Sequence, residues 1–226
     1  MDLSPSADSP RARYRIRFGK DGALRYISHL DLARVWERTL RRAGAPLVYS
    51  QGFNPHPQMQ LAAALPLGCA STCELLDIWL EGDIPTPEEL LPRLRKAAPE
   101  GLTIQAIWAV DMHSPALQTL TRTATYRIEV GGPFERSDLE DRVKVLLDQP
   151  AIWRERRGRR YDLRPLIERL EVLPDEPLVL ELEVALSQEE GTGRPDEVLD
   201  ALGLDAHSAR ITRTAITFAT LSEGQV

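Results

Sequence analysis

Two of the four histidines, His29 and His56, flank a stretch dense in hydrogen-bonding and aromatic side chains. A neutral imidazole near a carboxylate or an amide is the usual equipment of acid–base chemistry. His29, Asp31 and His56 are therefore the candidate acid–base groups. Ser28, His29 and Asp31 do not read as a nucleophilic triad, whose members come from separate parts of a chain and converge. Ser28 and Asp31 fit the cap of a helix instead. For His29 two readings stay open, a hydrogen bond on the cap side or a ligand contact.

The run from Tyr49 to Pro57 carries Tyr49, Ser50, Gln51, Phe53, Asn54 and His56 in one loop. Stacking faces beside positive charge are what single-stranded nucleic acid binds to. Positive charge is close in sequence: Lys20 precedes the loop, and Arg34, Arg38, Arg41 and Arg42 recur at helical spacing just before it. Lys20 and the four arginines are the candidate phosphate contacts. Tyr49, Gln51, Phe53, Asn54 and His56 are the candidate base contacts. The plainer alternative is a solvated basic face followed by a well-packed loop. A second basic run, Arg154 to Arg160, could extend a phosphate track or be solvated charge.

Other chemistries find no support. Gly131-Gly132-Pro133 is a turn and not a phosphate cradle of the Walker or Rossmann kind. Gly191 to Pro195 leads into a helix start, which reads as a turn with a cap. Cys69 and Cys73 have no second Cys/His pair at zinc-finger spacing, so no metal site is expected. Their three-residue gap matches the opening of a radical SAM cluster motif, but the third position holds Leu76. The chain is therefore not itself a radical SAM enzyme, and no cofactor is expected.

The net charge of −6 excludes a wholly basic nucleic-acid binder. It also hides an asymmetry, since ten basic residues stand against three acids between Ser9 and Gln60. Local fields steer a polyanion more than net charge does. No run approaches the ~18 apolar residues of a membrane span. With two cysteines, no disulfide framework and no signal-peptide pattern, the expected location is the cytoplasm. Met1 to Pro10, small, polar and proline-bearing, reads as a disordered tail, and 221–226 as a second tail.

The elements that must hold these groups follow from period and punctuation. Tyr14 to Phe18 alternates apolar and basic residues, as a half-buried strand does. Ser28 opens a helix that runs to about Ala43, with Leu32, Val35, Trp36, Leu40 and Ala43 as its buried stripe. Gln58–Leu65 and Thr72–Leu80 read as strands. Thr86-Pro87-Glu88-Glu89 is a strong helix start, and Leu102–Val110 a further strand. Past residue 120 the outline recurs: a strand at Tyr126, a helix from Ser137, a hairpin around Arg157-Gly158, a strand at Leu178–Leu186, a helix from Pro195 and a last strand to Phe218. The expected fold is α+β, two tandem ferredoxin-like (βαββαβ-type) halves with antiparallel sheets, over 11–113 and 121–220.

Several runs together resemble a known family. They are Lys20 with Gly22, Ser28-His29-Leu30-Asp31-Leu32, Arg41-Arg42-Ala43, Tyr49 through Pro57, and Leu65-Pro66-Leu67-Gly68, with the later Asp162-Leu163-Arg164-Pro165 and Gly193-Arg194-Pro195. They resemble the radical SAM-linked protein family, a bacterial domain of unestablished activity found alone or fused C-terminal to a radical SAM protein. The resemblance implies a radical SAM partner supplied by a separate chain, and work on RNA. The expected function is an accessory RNA-binding module in tRNA or rRNA processing or modification. The alternatives are an RNA-acting enzyme, nuclease or modifying, using His29, Asp31 and His56, and a protein–protein adaptor of the radical SAM partner.

Overall fold

The structure, a computed structural model, describes residues 10–156, 158–187 and 191–219. The tail read over Met1–Pro10 lies, apart from Pro10, outside the described residues, as do the tail 221–226 and Arg157 of the second basic run.

The chain forms two compact units. The first takes in residues 10–65 together with Glu74–Leu120. Its elements are β1 (Arg11–Lys20), α1 (His29–Arg42), β2 (Met59–Leu61), β3 (Ala70–Glu81, from Glu74 onward), α2 (Pro87–Ala97), β4 (Leu102–Val110) and the single turn α3 (Leu117–Leu120). The strands run in the order β4-β1-β3-β2, with the β1–β4 and β2–β3 pairs antiparallel. Alternation gives β1 two unlike faces. Tyr14, Ile16 and Phe18 point one way and are buried with Leu76, Ile78 and Leu80 of β3 and with Leu32, Trp36 and Leu40 of α1. The indole of Trp36 meets the Phe18 ring edge-on, with centroids 4.9 Å apart. Arg13 and Arg15 fall on the opposite face of β1. There they converge on the buried carboxylate of Asp77.

The helices begin where the sequence places them. Ser28 Oγ accepts from the Asp31 N–H at 3.1 Å, and a full capping box joins Thr86 and Glu89. These caps satisfy backbone donors that the first helical turn leaves without partners. Gly101 enters β4 with φ +84, a left-handed conformation that favours glycine. A Cβ there would stand 2.5 Å from the Asp21 carbonyl oxygen.

The second unit takes in Pro66–Cys73 and Thr121–Ala219. It holds β5 (Thr121–Glu129), α4 (Arg136–Leu147), the hairpin β6 (Trp153–Arg156) and β7 (Arg159–Asp162), then β8 (Ile167–Leu173), β9 (Val179–Ser187), β10 (Gly191–Thr192), α5 (Pro195–Ala201) and β11 (Arg210–Phe218). Its strands run β11-β5-β9-β8 with all three pairs antiparallel. The first residues of β3 add a short parallel pair to β11 through Ala70 and Ser71. The architecture is mixed α+β, with strand pairs that are mostly antiparallel among the described residues. Cys69 and Cys73 are both buried.

Several local readings differ from the sequence, among them α3 and β10, which were not expected. The α4 helix starts at Arg136 with Glu135 in the cap position, one residue before the expected Ser137. The second strand of the first unit shortens to Met59–Leu61. Strand β8 was not expected, because Glu168, Arg169 and Glu171 break its apolar pattern and leave a half-wet edge strand.

Candidate functional site

The start of α1 carries a cluster of polar groups. Ser28 Oγ donates to Asp31 Oδ2 at 2.7 Å, and Arg34 Nη1 donates to Asp31 Oδ1 at 3.0 Å. The Ser28 hydroxyl first, and Arg34 after it, hold the Asp31 carboxyl below its ordinary range. Asp31 is thus engaged in the cap as an ionised acceptor.

His29 stands in a different setting. Its surface stays open to solvent, yet the surrounding protein desolvates the ring and lowers its pKa. Two further charges act on it: Glu74 pulls the value up and Lys20 pushes it down. Both lie at 2% exposure. Their positions follow from strand alternation. Lys20 continues the Tyr14-Ile16-Phe18 face of β1, and Glu74 continues the Leu76-Ile78-Leu80 face of β3. The end of one strand, the beginning of the other and the N-terminus of α1 therefore bring a buried ammonium, a buried carboxylate and an imidazole into one electrostatic neighbourhood. With the lowered pKa, His29 is neutral at pH 7.

An open pocket of about 470 Å³ adjoins His29. Ala33, one turn along α1, shares its wall, and Pro57 and Gln58 bring in the end of the aromatic loop. Its floor comes from the β2–β3 pair through Met59, Gln60, Leu61, Leu76 and Trp79, and Gln118 of α3 closes one side. The Gln60 side chain is fixed, since its Oε1 accepts from the Leu117 N–H at 3.2 Å. Trp79 is fixed too, with the Arg13 guanidinium 4.8 Å above its ring.

The loop itself is pinched at its base. Tyr49 bridges Pro57, Ser50 N donates to the His56 carbonyl at 2.8 Å, and His56 N donates to Ser50 Oγ at 3.0 Å. Gln51, Phe53, Asn54 and His56 are exposed, Phe53 fully so at 106%. Along α1, Arg34, Arg38, Arg41 and Arg42 are all exposed. Arg34 pairs with Asp31, Arg41 lies 3.8 Å from Glu37, and Arg38 and Arg42 make no ion pair among the described residues.

The expected site residues thus divide. His29 and the stem of the loop share the pocket, while the arginine row and the side chains of the loop tip face solvent outside it. Asp31 and His56 do not line the pocket. Lys20 is too deeply buried to offer its ammonium to an external phosphate, and its charge acts at His29 instead. Sequence reasoning missed Glu74, Gln60, Trp79 and Gln118. Glu74 had one available signal, an acid that shares an apolar strand with Asp77, which marks either an edge or a paired buried charge.

A family model matches residues 13–195. The chain belongs to DUF2344, described as an uncharacterised protein family conserved in bacteria. That span of the DUF2344 chain includes the whole pocket and the arginine helix. No curated protein matches it. Among solved structures, a chain of a Cbf5–Nop10–Gar1 complex is similar at TM-score 0.45 and 11% identity, over 90% of this chain and 48% of that one. This chain therefore spans about half the length of that relative. An unknown protein from Galdieria sulphuraria is similar at TM-score 0.27 and 14% identity, over 93% of this chain and 100% of that one. Among the described residues no helix is long and apolar enough to cross a membrane.

Proposed function

We propose that this DUF2344 chain is an RNA-binding module built of two ferredoxin-like units. The strand orders β4-β1-β3-β2 and β11-β5-β9-β8 favour the duplication, because each unit pairs its equivalent strands in the same sequence. One observation carries the RNA reading. The helix α1 turns four arginines to solvent, and the loop that follows it holds a fully exposed Phe53 beside exposed amides. An unburied phenyl ring costs apolar hydration and makes sense where a base stacks on it. Phosphates fall to Arg34, Arg38, Arg41 and Arg42, and bases to Tyr49, Gln51, Phe53, Asn54 and His56.

The wider role is accessory. A radical SAM protein on a separate chain, implied by the sequence resemblance, would supply chemistry on a tRNA or rRNA that this module holds. Filter binding of single-stranded RNA to the full chain, repeated across salt concentrations, tests the RNA reading. Counterion release makes affinity fall steeply as salt rises. Absent or salt-insensitive binding overturns it.

A further inference from the structure

We infer that the pocket between the start of α1 and the β2–β3 pair receives a single unstacked nucleobase. The inference rests on the RNA reading above and assigns that reading a specific seat for one base.

Charge narrows the ligand class first. None of the residues lining the pocket is Asp, Glu, Lys or Arg, and its one titratable side chain is His29. The lowered pKa of that imidazole keeps it neutral at physiological pH. The buried charges behind the walls come as opposite signs, with Lys20 and Glu74 acting in opposite directions on His29 and the Arg13 guanidinium over Trp79 paired with Asp77. A phosphate, a carboxylate or a cation would find no counter-charge on these walls. A neutral ligand pays no such penalty.

Shape and polarity narrow it further. A volume of about 470 Å³ lies within the range of small-ligand sites, which join apolar walls to a few placed polar groups. Here Met59, Leu61, Leu76 and the Trp79 indole offer apolar faces, and the polar groups are amides and an imidazole. An amide presents a donor and an acceptor side by side, the pattern that reads the edge of a base. Gln60 has its carbonyl committed to the Leu117 N–H, so its NH₂ group is left as a donor with no partner among the described residues.

The pocket is also pre-formed. Met59, Gln60 and Leu61 are held in register with Ile78, Asp77 and Leu76. Trp79 lies under a guanidinium that Asp77 clamps. Rigid walls lower the entropic cost of closing on a flat ring. Pro57 and Gln58 follow directly on the exposed loop, and Arg34 follows Ala33 on the helix. A strand held at its phosphates by the helix thus runs past the mouth with one base free to enter.

The test uses the full chain, labelled with ¹⁵N, and the four ribonucleosides as probes, with ribose alone as control. At least one nucleoside is expected to shift the Trp79 indole and Gln58 amide resonances saturably, and ribose to shift neither. Ala33→Trp fills the mouth from a half-buried position on α1 and should weaken nucleoside binding at least tenfold. Gln58→Ala, which changes no backbone bond, should weaken it severalfold and serves where Ala33→Trp fails to fold. Nucleosides that shift nothing, or that bind both variants as tightly as the wild type, overturn the inference. Salt-dependent RNA binding that persists in that event leaves the RNA reading standing. Nucleoside binding lost in Ala33→Trp, from a chain that ignores RNA at every salt, supports the pocket and sinks the RNA reading.

Discussion

Arg13 and Asp77 meet across 64 residues of sequence, with Nε 3.0 Å and Nη2 2.6 Å from one carboxylate oxygen. Arg15 takes the other oxygen at 2.8 Å, and the Arg13 fork also donates to the carbonyls of Ser114 and Pro115. A buried guanidinium so engaged ties the segment before α3 to the sheet and steadies the Trp79 ring.

Removing one partner strands a charge in a low-dielectric interior. Asp77→Ala is expected to cost about 3–5 kcal/mol, because two arginines lose their common acceptor. Replacing the pair together by apolar residues of similar size, Arg13→Met with Asp77→Leu, should cost much less than the sum of the single changes. Chemical denaturation of the four chains of this cycle gives the coupling directly.

His29 carries a pH signature whose sign is set by its neighbours. Its folded pKa lies below the ordinary value of 6.5 because burial disfavours the imidazolium. The neutral ring's contribution to stability is therefore fully present above 6.5, and is lost as pH falls from there through the lowered folded value. His29→Gln should flatten the stability curve in that window. Glu74→Gln removes the one influence that raises the pKa and should push the His29 midpoint lower, whereas Lys20→Met should push it higher. NMR titration of the imidazole in each variant reads the direction, and opposite shifts would place the two charges elsewhere.

Much of this was legible in the residues themselves. The caps at Ser28 and Thr86 and the stripe of Leu32, Trp36 and Leu40 are local signals, and local signals survive into the fold. The arginines of α1 lie outside because the stripe fixes which face is inside. What escaped notice depends on pairing at long range. Nothing in Arg13 or Asp77 alone announces that they share a buried ion pair, and Lys20 reads as a surface charge until β1 assigns its face. The pocket draws on Ala33, Gln60, Trp79 and Gln118, which only the strand register and α3 bring together.

Gly101 bears on the same corner from the other side. Asp21 N donates to the Gly101 carbonyl at 2.9 Å, closing the end of β1 immediately after Lys20. Gly101→Ala combines a left-handed φ with a Cβ 2.5 Å from the Asp21 oxygen. A loss of about 1–3 kcal/mol is expected, with the His29 resonance shifted as Asp21 and Lys20 give way. Thermal melts and the same NMR titration check both parts.

Phe53 tests the loop with little structural consequence. Its ring is fully exposed, so Phe53→Ala should leave stability within about 0.5 kcal/mol. Loss of one stacked base should still weaken single-stranded RNA binding by about 1–3 kcal/mol, close to 5- to 150-fold. Equal affinity of the two chains would remove the loop from the RNA surface.

Arg38 and Arg42 test the helix by a quantity that a stacking contact does not move. Neither makes an ion pair among the described residues, so replacing both with Ala breaks no internal salt bridge there. Each phosphate neutralised on a single strand contributes about 0.7 to the slope of log affinity against log salt. If both arginines track phosphates, the double variant should lose about 1.4 from that slope while the preference among base sequences stays unchanged. Phe53→Ala should do the reverse, lowering affinity at every salt with the slope intact. Filter binding at five or so salt concentrations separates the two patterns. A double variant with the wild-type slope would mean that the arginine row is solvated charge, and that the helix does not face RNA.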